Sequence, residues 1–324
     1  MFVKDLQVGA AVDGVLVVRE VEPCAAVDGA QVLRLLLGDR TGCLPAIVRD
    51  DVAAARAVAT AGSPVHVTGR LRAGSDRGAE LELRTLARAA DGSYDATRLH
   101  DGPARPVALM EADLRELVGT VQDPDLRRLL DDVFGADAAT WQPYRSAPAA
   151  KRLHQAYRHG LLEHSLSVAQ AVSAISATFG GIDRDVAVTG ALLHDIGKLD
   201  AYAFDGAAIE MTDAGRLEGE IALGYYRVRR LIEDIDGFDP PTAQAVLHII
   251  LSHHGSREHG SPVLPCTREA TLVHFCDNLG GRLGSFDRLE KDLSPGERWS
   301  HFDRVIGGGA YFARGAAAGE RAAA

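Results

Sequence analysis

The chain has 324 residues, enough for two domains, and its 46% hydrophobic and 25% charged content is that of an ordinary globular protein. A net charge of −10 argues against sheathing a long nucleic acid by bulk electrostatics, although bound divalent metal could supply local positive charge. No apolar run reaches the length of a membrane span and no signal-peptide core opens the chain, so a cytoplasmic protein with no membrane partner is expected. Cys24, Cys43, Cys266 and Cys276 form no C-x-x-C pair and read as isolated reduced thiols in a packed interior.

Residues 1–90 read as strands. Ala11–Val21, Gln31–Leu37, Gly42–Val48, Pro64–Leu71 and Glu80–Leu86 are rich in Val and Leu with partial alternation, and turn signals such as Asp28-Gly29 divide them. A short alanine-rich helix is expected over Asp50–Ala61, between the third and fourth strands. Five strands with a helix in that place is the layout of an OB-fold barrel. Residues 91–150 read as a linker with two short helices split at Asp123-Pro124, and 136–150 as irregular.

From 151 to 306 the chain reads as all helix. Ten of its 12 histidines lie in or beyond this stretch, which marks a change of chemistry. Apolar residues recur over 160–178, 184–197 and 217–235 with helical spacing. Pro240-Pro241 opens a further helix that ends at Gly255, and Thr267 can cap another running to about Leu279. The segment 307–324 reads as a flexible tail, in which Tyr311 and Phe312 could touch nucleic acid.

The chemistry centres on His194-Asp195, at the end of an apolar helix and followed by Gly197, which would let the backbone turn sharply. One imidazole and one carboxylate suit metals of the Mn, Fe or Zn type, but a lone pair of this kind is weak evidence. Three further features strengthen it. His164 lies on the preceding helix, His253-His254 close another helix, and Asp277 lies in an apolar helix where an unpartnered carboxylate is costly.

In this order the four elements resemble the HD superfamily of metal-dependent phosphohydrolases. More narrowly, the chain resembles the YhaM family of 3′-to-5′ exoribonucleases, which join an OB-fold to an HD domain. The matching runs are Gly160-Leu161-Leu162-Glu163-His164-Ser165, Leu193-His194-Asp195-Ile196-Gly197-Lys198, Ile250-Leu251-Ser252-His253-His254-Gly255 on to Gly260-Ser261-Pro262, and Thr267-Arg268-Glu269-Ala270 with Asp277-Asn278. The resemblance implies two divalent metal ions, manganese favoured and iron possible. His164, His194, Asp195 and Asp277 would hold one, and Asp195 would bridge to a second on His253 and His254. Where the family has Gly-His-Ile, this chain has Gly219-Glu220-Ile221. Glu220 is therefore either a harder, anionic ligand or a solvated helix residue beside a degenerate site. Asp195 and Lys198 are the candidate catalytic residues, Lys198 as a phosphate contact, as a holder of Asp195, or as a plain helix-terminal cation.

Weaker signals are His154 and His159, the latter read as a surface histidine; Arg257 and Arg282, possible phosphate contacts; and His248, His259 and His274, read as structural or exposed. The implied reaction is hydrolysis of single-stranded RNA or DNA, RNA favoured, from the 3′ end to nucleoside monophosphates by a homo-oligomer. The barrel speaks partly against it. No Phe, Trp or Tyr lies between Val3 and Ser93, and residues 1–92 carry eleven basic against twelve acidic side chains, so base stacking there is absent or falls to arginine. Open alternatives are an HD phosphohydrolase of a small nucleotide or cyclic dinucleotide with the barrel as an assembly module, a di-iron oxygenase on the same ligands, and a binder with a decayed site.

Overall fold

The computed structural model describes residues 1–25, 31–73, 79–99, 102–103, 105–151, 155–204, 209–291, 293 and 296–313. The chain folds as two compact units. Among the described residues the first comprises 1–99 and 288–313, and the second comprises Gly102–Phe204 and Ile209–Asp287.

In the first unit, β1 (Ala11–Ala25), β2 (Gln31–Asp39), β3 (Gly42–Val48), β4 (Pro64–Ala73) and β5 (Ala79–Arg88) close into a barrel in the order β1-β2-β3-β5-β4. One irregularity between Val18 and Glu20 lets β1 serve two partners. Its first half, Ala11–Val17, pairs with β4, and its second half, Val17–Ala25, pairs with β2. All pairings are antiparallel except β3 with β5. Alternate apolar residues, among them Leu16, Val18, Leu33, Leu35, Val65, Val67 and Leu81, fill the interior. Helix α1 (Val52–Val58) crosses between β3 and β4, with the Asp51 carboxylate accepting from Ala54 N–H at its start. Strand order, closure and helix position define an OB-fold, as the sequence suggests. A four-residue helix, α2 (Ala96–Leu99), follows.

The second unit is helical: α3 (Val107–Gly119), α4 (Pro124–Phe134), α5 (Trp141–Ser146), α6 (Gly160–Ser176), α7 (Arg184–Leu193), α8 (Lys198–Ala201), α9 (Asp213–Leu217), α10 (Glu220–Glu233), α11 (Pro240–Ser252) and α12 (Arg268–Lys291). Asp123, Asp183 and Asp239 cap α4, α7 and α11 by accepting from first-turn amides, with proline opening α4 and α11. Every residue of α7 from Val186 to Leu193 is buried, so it is the central helix of the unit.

Three expectations need correction. The two short helices form as expected, but the stretch 91–150 does not stand apart from the helical unit, because Met110, Leu114, Leu126, Leu129, Leu130 and Val133 of α3 and α4 belong to the same core as α6 and α7. Residues 136–150 contain α5, whose Trp141 and Tyr144 are buried edge-to-face against Phe134. Beyond 151 the chain is not wholly helical. Strands β6 (Tyr202–Phe204) and β7 (Ile209–Met211) pair, as do β8 (Trp299–Asp303) and β9 (Gly308–Tyr311). Part of the supposed flexible tail is thus an ordered strand; residues 314–324 lie outside the described residues. Among the described residues no helix is long and apolar enough to cross a membrane. Cys24, Cys43, Cys266 and Cys276 form no disulfide, and of the four Cys276 alone is buried, whereas Cys43 and Cys266 are exposed.

Candidate metal centre

Two of the ligand pairs are presented by one local device. His194 follows the last residue of α7, and its Nδ1–H donates to the Ala191 carbonyl three residues back (2.7 Å). His253 follows α11 and does the same to Ile250 (2.8 Å). Each imidazole satisfies an orphan carbonyl of its own helix end and is thereby fixed in the tautomer that leaves Nε2 with a free lone pair. His254 is fixed likewise by the His259 carbonyl (2.9 Å). The partial negative charge at both helix ends favours a cation beside them.

The Nε2 atoms converge. Those of His164, on α6, and His194 lie 3.3 Å apart, and Asp277 Oδ1, on α12, is 3.0 Å from His164 Nε2 and 3.8 Å from His194 Nε2. A second group joins Glu220, His253 and His254, with Glu220 Oε1 3.4 Å from His254 Nε2. Asp195 spans both. Its Oδ2 lies 3.3 and 3.4 Å from His164 and His194, and its Oδ1 3.6 Å from His253 Nε2. Lys198 Nζ donates to Oδ2 at 2.6 Å. All seven candidate ligands and Lys198 are therefore brought together. Glu220 faces the cluster, as the first residue of α10, and is not a solvated helix residue.

The donor set fits divalent cations on three observations. His253 Nε2 is buried without a hydrogen-bond partner, which is costly for a polar atom with nothing to bind. The facing Nε2 atoms of His164 and His194 need a proton or a cation between them. Asp195, Asp277 and Glu220 bring three carboxylates against the single ammonium of Lys198, an imbalance that bound cations reverse. The inner members, His164, His194, Asp195 and His253, have side chains at most 4% exposed, whereas Lys198, Asp277, Glu220 and His254 are 15–28% exposed and form an accessible rim.

Burial works against the charged forms of His194, Asp195, Lys198 and Asp277, yet their mutual attraction overrides it. The Asp195 carboxylate lifts the His194 pKa above its ordinary value, and Lys198 with His194 holds Asp195 well below the carboxylate range. Asp277 is held low by its bond to His164 and by the charge of His194. Taking up a metal must therefore displace the His194 proton. Metal affinity is expected to rise as the pH rises through the raised His194 pKa. In metal-free protein the stability linked to that proton is complete below about pH 6.5 and lost as pH rises through the raised pKa. Calorimetric titration with manganese in two buffers of different ionisation enthalpy reads this directly; binding without proton release would contradict it.

Gly197 has a different role from the expected one. Its φ of −65° is open to any residue, so no sharp turn requires it. A Cβ there would lie 1.9 Å from the Glu220 carbonyl oxygen and 2.5 Å from Gly224 N. The glycine lets the His-Asp turn press against the start of α10, which sets Glu220 beside the centre. Two supports escaped the sequence. The buried Tyr144 hydroxyl donates to the Leu192 carbonyl at the end of α7 (2.8 Å), and His274 Nδ1–H donates to the His253 carbonyl (2.8 Å).

The weaker candidates fall elsewhere. His159 is half-buried, not a surface residue; it sits at φ 72° before α6, its Nδ1 bonded to the Arg145 carbonyl. Arg257 and Arg282 are exposed and make none of the contacts that define the cluster. His248 Nε2 accepts from Cys266 N–H, His259 is exposed, and His154 lies outside the described residues.

Residues 161–281 match the family model described as HD domain. The helical unit thus carries an HD domain, and the chain is a hydrolase. Along most of its length it is similar to curated proteins named 3′-5′ exoribonuclease YhaM. It is 29% identical to the protein of Geobacillus sp. (strain WCH70), covering 90% of this chain and 88% of that one. The Bacillus subtilis (strain 168) protein is 26% identical over 90% and 91%, and that of Listeria monocytogenes serotype 4b 26% over 94% of each. The solution NMR structure of the second OB-fold domain of replication protein A from Methanococcus maripaludis is also similar, at 18% identity and a TM-score of 0.22, covering 29% of this chain and 98% of that one.

Proposed function

We propose that the chain is a metal-dependent 3′-to-5′ exonuclease of single-stranded nucleic acid, RNA favoured, releasing nucleoside 5′-monophosphates. The observation that carries the reading is Asp195, one oxygen turned to each half of the histidine cluster. On this reading His164, His194, Asp277 and Asp195 hold one divalent ion, and Glu220, His253, His254 and Asp195 hold a second. Mixed imidazole and carboxylate donors suit manganese, with iron possible. Such ions would supply Lewis-acid polarisation of the phosphodiester and a lowered pKa for water. Lys198 fixes the Asp195 carboxylate between the two groups, and its partial exposure leaves an ammonium donor within reach of a phosphate oxygen. The relatives' names favour RNA.

Glu220→Ala is expected to lower the metal content from two toward one per chain, because His253 and His254 lose their anionic partner while the His164 group keeps its own. Elemental analysis of the purified variant checks this; unchanged stoichiometry would remove Glu220 from the ligand set.

A second reading, an HD phosphohydrolase of a small nucleotide or cyclic dinucleotide, is favoured by the aromatic-free barrel, which would then serve assembly into a homo-oligomer. Manganese incubation with 5′-labelled single-stranded RNA and DNA separates the two. The exonuclease gives a ladder of shortening products. Internal cuts alone, or intact oligonucleotides while cyclic dinucleotides turn over, would refute it.

A further inference from the structure

The barrel lacks aromatics, but the unit that contains it does not. Among the described residues of the first unit, the large aromatic side chains left exposed are Trp299 (63%), Phe302 (68%) and Tyr311 (47%), all on the β8–β9 hairpin. The hairpin is built to show them together. Trp299 pairs directly with Tyr311 and Phe302 with Gly309, so three residues advance on β8 for two on β9. In regular alternation Trp299 and Phe302 would face opposite ways. The extra residue, a β-bulge, returns Phe302 to the face of Trp299 and Tyr311. The other face carries Asp303 and Ala310, which are buried, and Asp303 is tied down by Arg288 and by the amides of Val305 and Ile306. The hairpin thus has an anchored face and an aromatic face.

The aromatic face has the chemistry of a base-stacking platform. The Trp299 and Tyr311 ring centroids lie 5.0 Å apart, and the Arg298 guanidinium lies over the Tyr311 ring, 5.8 Å from its centroid. Opposite Phe302 stands Gly309, where a Cβ would lie 3.7 Å from Trp299 Cε3, so the Trp299 ring reaches over this position. The charge is also of the right sign. Residues 296–313 carry Arg298 and Arg304 against Glu297 and Asp303. Asp303 is buried and already paired with Arg288, so the charge left to meet a ligand is positive on balance, in a chain of net charge −10. Rings with an arginine plane among them are what sequence-tolerant single-strand binding needs, and they are what residues 3–93 lack.

We propose that the β8–β9 hairpin is a single-stranded nucleic-acid binding surface on which Trp299, Phe302 and Tyr311 stack unpaired bases and Arg298 meets the backbone. This rests on the nuclease reading for its ligand class and adds a site to it. The hairpin holds the strand; it contributes no group to the hydrolytic centre.

The test uses the full chain in EDTA, so that nothing is cleaved, with a fluorescein-labelled oligouridylate of about 16 nucleotides, the upper end of a single-barrel site. Anisotropy is expected to give a Kd weakened at least about 10-fold by Trp299→Ala and about 100-fold by Trp299→Ala with Phe302→Ala, as loss of one and two stacked bases implies. Trp299→Phe, which keeps a stacking ring, should retain most of the affinity. The chain has two tryptophans and Trp141 is buried, so strand binding should quench the fluorescence of the wild type and leave that of Trp299→Phe unchanged. Manganese-dependent hydrolysis of bis(p-nitrophenyl) phosphate should be equal in wild type and variants, showing an intact fold and centre. Wild-type affinity in the double variant would overturn the proposal alone. A change of oligomeric state in light scattering that accounts for the lost affinity would overturn it in favour of an interface between copies. A wild type that turns over the small diester but binds no oligonucleotide would overturn the nuclease reading along with it.

Discussion

Asp195→Asn should lower metal-dependent phosphodiester hydrolysis by at least about 10³-fold, the upper end of what losing one preorganised electrostatic group costs, and should reduce bound metal in both halves of the centre. The reason is geometric. Oδ2 faces His164, His194 and Lys198, and Oδ1 faces His253, so one side chain serves every other inner group. Asparagine keeps the shape but replaces one oxygen by an amide that donates, and it removes the charge that offsets the Lys198 ammonium. The variant also reports on Lys198. With its carboxylate partner gone, a mostly buried ammonium is left poorly compensated, which is costly. Activity and metal content measured together check the prediction. A fully metallated but inactive protein would make Asp195 a participant in hydrolysis and not a bridging ligand.

Gly197→Ala is expected to have the largest effect on stability of any single-methyl change near the centre. The added carbon would overlap the Glu220 carbonyl oxygen and the Gly224 amide nitrogen, and both are backbone, so no rotamer change relieves the clash. The His-Asp turn and α10 must move apart. Overpacking of this kind costs about 3 kcal/mol, which for a unit of this size is a fall in Tm of roughly 6–12 °C. Metal held by Glu220, His253 and His254 should be lost before metal held by the His164 group, because the displacement falls between α10 and the turn. Thermal melting with and without manganese would show this. A variant as stable as the wild type would mean that the turn and α10 are not packed as closely as the structure has them.

Much of this was legible in the residues. The five barrel strands and α1 announce themselves through apolar alternation and turn dipeptides, and the observed strands extend the expected ones by only a few residues. The candidate ligands are legible for another reason: histidines and buried carboxylates on apolar helices have few other uses. What escaped is what acts through the backbone or across long separations. Tyr144 supports the end of α7 from 48 residues away through a carbonyl. No pattern in the sequence ties those positions together. The three-residue strands β6 and β7 are too short to show a period. Helix α12 runs on to Lys291 through Gly280-Gly281, a pair with poor helix propensity that tertiary packing overrides. The β8–β9 hairpin was hidden by its glycine run and by the bulge, which breaks the alternation that would have marked a strand.

The central claim is that two divalent cations share Asp195. Anomalous diffraction at the manganese edge, from crystals grown with manganese, tests it most directly. The account predicts two peaks, one among His164, His194, Asp195 and Asp277 and the other among Asp195, Glu220, His253 and His254. A single peak at the first position would reduce Glu220 and His254 to bystanders, and no peak against Asp195 would contradict the account altogether.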